Sequence, residues 1–232
     1  MCYGYESTTK AFSNFGQYQI AMEHKDAFRL LRSIMAQDRK KPVGFNHGHL
    51  LLSVIFLGRK EVTPRSEMKS SLGLGTGSIR SLMGRLVLNH VAIASATGFR
   101  LGPFGHEILA SIMNVLLGPF PISVEYLGLD RKQALYILRR IEVSAVNPIR
   151  LRDLVVRYGG TGATTCLLDK GRIQIIGIGE WLADFSSKDE KEILGHTSEQ
   201  GDIVIVVSAP SEAVSASSGA AAVFDLLESI LQ

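Results

Sequence analysis

The chain has little of what would tie it to a membrane, a metal ion or an oxidising compartment. Two cysteines, Cys2 and Cys166, stand too far apart to form a ligand pair, which argues for a reducing compartment and against a zinc site. The most apolar run, Leu50 to Gly58, is about half the roughly 20 residues that cross a bilayer. MCYGYESTTK at the start lacks the charge-then-apolar order of a signal peptide. Six histidines, His24, His47, His49, His90, His106 and His196, are scattered, so no metal or other cofactor is expected. No nucleophile elbow, paired carboxylates or Cys/His arrangement stands out, so an enzyme is not expected either. What remains is the expectation of a soluble, cytoplasmic chain that works without a membrane.

What the chain does have is abundant apolar residues and an uneven distribution of charge. At 232 residues and 46% hydrophobic it can bury a core unaided. The net charge is only +3, yet residues 47–117 carry seven Lys/Arg against three Asp/Glu, whereas residues 121–232 carry eleven against fifteen. The basic front and acidic back meet at LGPFPIS, Leu117 to Ser123, where two prolines and a glycine would force an extended connection. The expected organisation is residues 1–46 as a flexible start plus an amphipathic helix, residues 47–118 as one domain and residues 121–232 as another. On the helix expected from Gln17 to Gln37, Ile20, Ala27, Phe28, Leu31, Ile34 and Met35 share one face. That face would pack on its own domain or pair two copies.

The middle segment is the most informative. HGHLLLSVIFLG forms a buried helix; Thr63 and Pro64 then start a short second helix that ends at LGLG, where glycine can take the positive φ of a tight turn. A third helix, about Thr76 to Asn89, puts Ile79, Leu82, Met83 and Leu86 on one stripe and leaves a small, polar and basic face opposite. Two short strands, within Val91 to Ser95 and Phe99 to Leu101, join at Ala96-Thr97-Gly98, and a fourth helix begins near Pro103. That is the winged-helix order. The glycines Gly73, Gly75 and Gly77 follow a helix, not a strand, and no Gly-Lys-Ser/Thr ending is present, so a dinucleotide or Walker loop is excluded.

MKSSLGLGTGSIRSLMGRL, with the hairpin and LGPFGHEIL behind it, resembles the winged-helix domains of archaeal transcriptional regulators, whose pattern LAxxLGLGxGTVRxLLxxL precedes a wing. The resemblance implies double-stranded DNA as partner. A recognition helix enters the major groove with its N-terminal residues on base edges, so Arg80 and Arg85 are the expected guanine readers, with Thr76, Ser78 and Ser81 beside them. Backbone N–H groups near Gly75 and Gly77 would meet phosphate, as would Arg59, Lys60, Arg65 and Lys69 before the helix and Arg100 past the wing tip. A winged helix that docks protein rather than DNA is the alternative.

The back segment shows the order β, α, β, β, α, β, α, an α+β layer with helices expected on one side. IRLRDLVVRYGGTGATTCLL and DIVIVVSAPSEA resemble the second, uncharacterised domain of the same archaeal proteins, so the expected fold class is α+β, a winged helix followed by a smaller-sheet α+β domain. Gly160, Thr161 and Thr164 would either cradle a small anion or form a helix cap running into a strand. The domain's expected roles are assembly of a homodimer, through Gln17–Gln37 or the closing helix Ser211 to Leu231, sensing a small-molecule effector, or contact with another protein.

Overall fold

The computed structural model describes residues 22–36, 44–197 and 199–231. From the N-terminus come α1 (His24–Ala36), α2 (His47–Gly58), α3 (Arg65–Leu72) and α4 (Thr76–Leu88), a hairpin of β1 (Ala92–Ala94) and β2 (Phe99–Leu101), and α5 (Pro103–Met113). The rest runs β3 (Leu116–Ile122), β4 (Lys132–Leu138), α6 (Pro148–Arg157), β5 (Gly162–Asp169), β6 (Arg172–Ile175), α7 (Ser187–Leu194), β7 (Ile203–Ala209) and α8 (Glu212–Ile230). The fold is mixed, with helices dominating the N-terminal part and a five-stranded sheet the C-terminal part.

Side chains at the helix ends account for several boundaries. Asn46 caps α2, Asn147 caps α6 just before Pro148, Ser186 caps α7 and Ser211 caps α8, each accepting a hydrogen bond from a backbone N–H in the first turn. Gly73 ends α3 at φ +63°, the left-handed conformation the LGLG motif foretold. The first helix is shorter than its apolar periodicity suggested, and residues 17–21 and 37 of that expected span lie outside the described residues.

The sheet order is β3-β4-β7-β5-β6, and every neighbouring pair is antiparallel. All seven residues of the central strand β7 are buried. Ile203, Ile205 and Val207 join one core with α6 and α8, while Val204 and Val206 join a second with Ile193 of α7. Helices therefore cover both faces, not the one side expected, because successive β7 side chains point in opposite directions and all are apolar.

LGPFPIS is also more than a connection, since most of it is the edge strand β3. Pro119 and Pro121 are tolerated there because an edge strand has no partner on its outer side. The pairing with β4 shifts register between Leu117 and Phe120, around Gly118 at φ +110°.

The small residues of α8 explain how the two parts join. A Cβ on Gly48 of α2 would come within 2.5 Å of the Ala221 nitrogen, and one on Gly219 within 2.4 Å of the Tyr136 ring. Helix α8 is thus held at close range by α2 on one side and by β4 on the other. Phe28 of α1 meets Phe224 edge-on, with ring centroids 5.2 Å apart. The apolar faces of α1 and α8, expected as candidate dimer surfaces, are instead consumed inside the chain: Phe28, Leu31, Ile34, Val223, Phe224 and Leu227 all belong to one shared core, and Ala221 is buried as well. By length and composition α8 could also cross a membrane, but 67% of its apolar window is buried within the protein.

A polar network closes the same seam. Arg32 of α1 donates to Asp225 at 2.7 Å and also to Glu228, both on α8. Tyr158 donates to Asp225 at 2.5 Å, and the His47 ring lies 3.2 Å from that carboxylate. Burial pulls the His47 pKa down against the opposing pull of Asp225, and burial together with the Asp225 bond pushes the Tyr158 hydroxyl up to about 12.

Candidate nucleic-acid interface

Helices α3 and α4 and the hairpin enclose a groove of about 750 Å³. Its floor is Ile79, Met83 and Val87 of α4 with Phe99 of β2, and Arg65, Lys69 and Arg80 stand around it. All three cations are exposed. Lys69 and Arg80 make no ion pair among the described residues, and the Arg65 guanidinium lies 5.1 Å from the centre of the Phe99 ring.

The exposed face of α4 is bare. A Cβ on Gly75, Gly77 or Gly84 would meet nothing within 4 Å, so packing inside the protein requires none of these glycines. Gly75 caps α4 without a side-chain acceptor, which leaves the first-turn N–H groups of an exposed helix end pointing outward beside Thr76 and Gly77. Ser81 is exposed as well, whereas Ser78 is half-buried beside Gly44.

The hairpin is fixed to α3 through its leading residue. Thr63 and Phe99 exchange both backbone hydrogen bonds, at 2.8 and 3.0 Å, so the segment entering α3 forms a third edge to β2. Gly98 is required there, since a Cβ would lie 2.2 Å from the Thr63 carbonyl oxygen.

Several expected contact residues are used differently. Arg85 is half-buried and donates to the carbonyl of Met35 at 2.7 Å and of Ile34 at 3.4 Å, with its guanidinium 5.3 Å from the centre of the Phe45 ring. It satisfies the last carbonyls of α1, a role no helical-wheel argument confined to α4 would reveal. Arg59 donates to the Pro119 carbonyl at 2.9 Å, and Lys60 pairs with Glu67 at 2.6 Å. Arg100 alternates with Phe99 on β2, so it faces away from the groove, where its charge helps lower the pKa of His106 after the larger effect of burial.

The anion cradle considered at Gly160, Thr161 and Thr164 is a cap. Gly160 N–H donates to Val155 O at 2.9 Å, Thr161 N–H donates to Ser208 O at 2.8 Å, and the Thr161 hydroxyl donates to Asp130 at 2.6 Å. Thr164 sits within β5, paired with Val206. The backbone donors are spent on the helix end and the strand, and the Thr161 hydroxyl on Asp130.

Comparison with known proteins places the chain only in part. Residues 129–226, from the entry into β4 to near the end of α8, match a family described as Domain of unknown function (DUF4443). In three dimensions the chain is similar to a hypothetical protein from Pyrococcus horikoshii OT3, with a TM-score of 0.67, 21% identity, and coverage of 81% of this chain and 96% of that one. The likeness establishes a shared fold with an archaeal protein and carries no activity with it. No curated protein matches the chain.

Proposed function

We propose that residues 47–118 are a winged helix-turn-helix that binds double-stranded DNA, and that the protein is a transcriptional regulator. The observation that carries the reading is the gathering of Arg65, Lys69 and Arg80 around one groove beside the uncapped, glycine-bare start of α4. In this arrangement α4 enters the major groove, Arg80 reads a guanine, and Arg65 and Lys69 hold phosphates. Arg85 is omitted from the readers because its hydrogen bonds are committed to α1. A single module of this size buries only about 600–1,000 Å² on DNA, so two copies acting on paired half-sites fit the reading, joined through a surface other than the buried faces of α1 and α8.

Selection from random duplexes tests the assignment. Wild type should enrich one motif, Arg80→Ala should relax it at one position by about 1–3 kcal/mol, and Lys69→Ala should weaken all sequences alike. If no duplex is enriched, the reading fails.

One feature favours a second reading, a winged helix that docks protein. Leu88 at the end of α4 is 74% exposed, and the groove floor beside it is apolar.

A further inference from the structure

The outward face of α6 is apolar where a surface helix is ordinarily polar. Its inward side is the expected one, with Leu151, Leu154 and Val155 buried. Opposite them stand Ile149, 66% exposed, and Val156, 50% exposed. These two are seven residues apart, about two turns, so they form one line along the helix. β-Branched residues are weaker helix formers than lysine or glutamate, so local helix stability does not account for them at exposed positions. Leu129 widens the patch. It is 55% exposed, and a Cβ on Gly162 would lie 2.7 Å from its Cδ1 and 3.8 Å from Arg152 Cγ, which sets it beside the Arg152 stem.

Charge says what covers this face. Arg152 and Asp153 flank the line of Ile149 and Val156 on opposite sides, both exposed, with their charged groups 3.4 Å apart. An ion pair so exposed contributes little and is free to exchange partners. A second copy of α6 laid parallel, about a twofold axis running along the helices, would bring Ile149 to Ile149, Val156 to Val156 and each Arg152 to the partner's Asp153. The antiparallel arrangement would instead set Arg152 against Arg152 and Asp153 against Asp153, and like charges across an interface repel. A face with one basic and one acidic flank is therefore complementary to itself in one orientation. Arg150 and Arg157 lie further round the helix and carry their charge away from the seam.

We propose that the α6 face of Ile149, Arg152, Asp153 and Val156 is the contact between two copies of this chain, set parallel about a twofold axis. It supplies the joining surface that paired half-sites call for, yet it stands on the exposed residues of α6 and not on the DNA-binding reading. One short helix with a loop residue beside it makes a contact below about 1,200 Å², the low end of specific interfaces, so a dimer Kd on the order of 10 µM is expected.

Sedimentation equilibrium of the full chain without DNA, from about 1 to about 200 µM, spans that Kd and tests the contact. Wild type should pass from monomer to dimer over this range, and Ile149→Asp should weaken the dimer by about tenfold or more. Arg152→Glu and Asp153→Arg should each weaken it by about as much, because like charges then face each other across the seam, whereas the double variant Arg152→Glu/Asp153→Arg should restore association. All three positions are exposed, so the thermal melting of each variant at the low end of the range should match wild type. A chain that stays monomeric at about 200 µM overturns the proposal. So does a dimer that both single charge reversals leave intact, or one that the double variant fails to restore. A dimer that behaves as described but binds no duplex sinks the DNA reading alone, and a monomer that binds duplex sinks the α6 contact alone.

Discussion

Replacing Arg85 by alanine separates an arginine that holds the fold from one that reads DNA. The side chain donates to two carbonyls in the last turn of α1 and lies against Phe45, so its loss leaves helix-end carbonyls without a donor. A hydrogen bond from a charged group contributes about 1.5–3 kcal/mol, and a cation–π contact near the surface about 0.5–1 kcal/mol. Because the guanidinium is only half-buried, the lower ends apply, and Arg85→Ala should cost about 2–3 kcal/mol. At about 2–4 °C per kcal/mol for a chain of this size, the melting temperature should fall by about 4–12 °C. Arg80→Ala, at an exposed position, should move stability by less than about 0.5 kcal/mol. Calorimetry and duplex selection on the two variants make the comparison. If Arg85→Ala melts like wild type and alters the selected motif, Arg85 is a reader and the assignment is reversed.

Three further outcomes follow from the geometry. Gly84→Ala meets no atom within 4 Å, so it should stabilise α4 by about 0.5–1 kcal/mol in urea denaturation while weakening DNA binding where the helix lies close to the duplex. Gly73→Ala must place a side chain at φ +63°, with its Cβ 2.9 Å from Ala213 on α8, and should cost at least about 1–2 kcal/mol in the same measurement. His49 is kept neutral, its pKa lowered to about 4 mainly by burial and further by the neighbouring His47. The unfolded chain, titrating near 6.5, binds more protons, so this stability is complete above about pH 6.5 and is lost toward pH 4. His49→Gln, which retains a capping-box side chain, should flatten the urea midpoint across that window.

Much of the helical part was legible from local chemistry. Gly73, Pro103 and the Ile79–Leu82–Met83–Leu86 stripe mark turns and faces that depend on residues close in sequence. What stayed hidden depends on contacts between distant segments. The alanine-rich stretch of α8 resembled an unsatisfied apolar surface, and only the approach of α2 and Tyr136 shows that small side chains are needed there. Pro119 and Pro121 suggested a linker because the sequence does not reveal that β3 occupies the sheet edge, the one place where prolines do not break a ladder. In the candidate site, Arg65, Lys69 and Arg80, expected on the second and third helices of the middle segment, line one groove. The bonds of Arg85 to carbonyls of α1 stayed hidden because those partners lie some fifty residues away in the sequence.

The salt dependence of duplex binding tests the central claim most directly. The two phosphate-facing cations, Arg65 and Lys69, give an expected slope of log K against log salt of about −1.8 per module, so a fourfold rise in salt should weaken binding about 12-fold. Anisotropy on labelled genomic fragments reads this directly, and Lys69→Ala should reduce the slope by about one. Absence of binding at about 50 mM salt, or binding whose slope is near zero and unaffected by Lys69→Ala, would contradict the account.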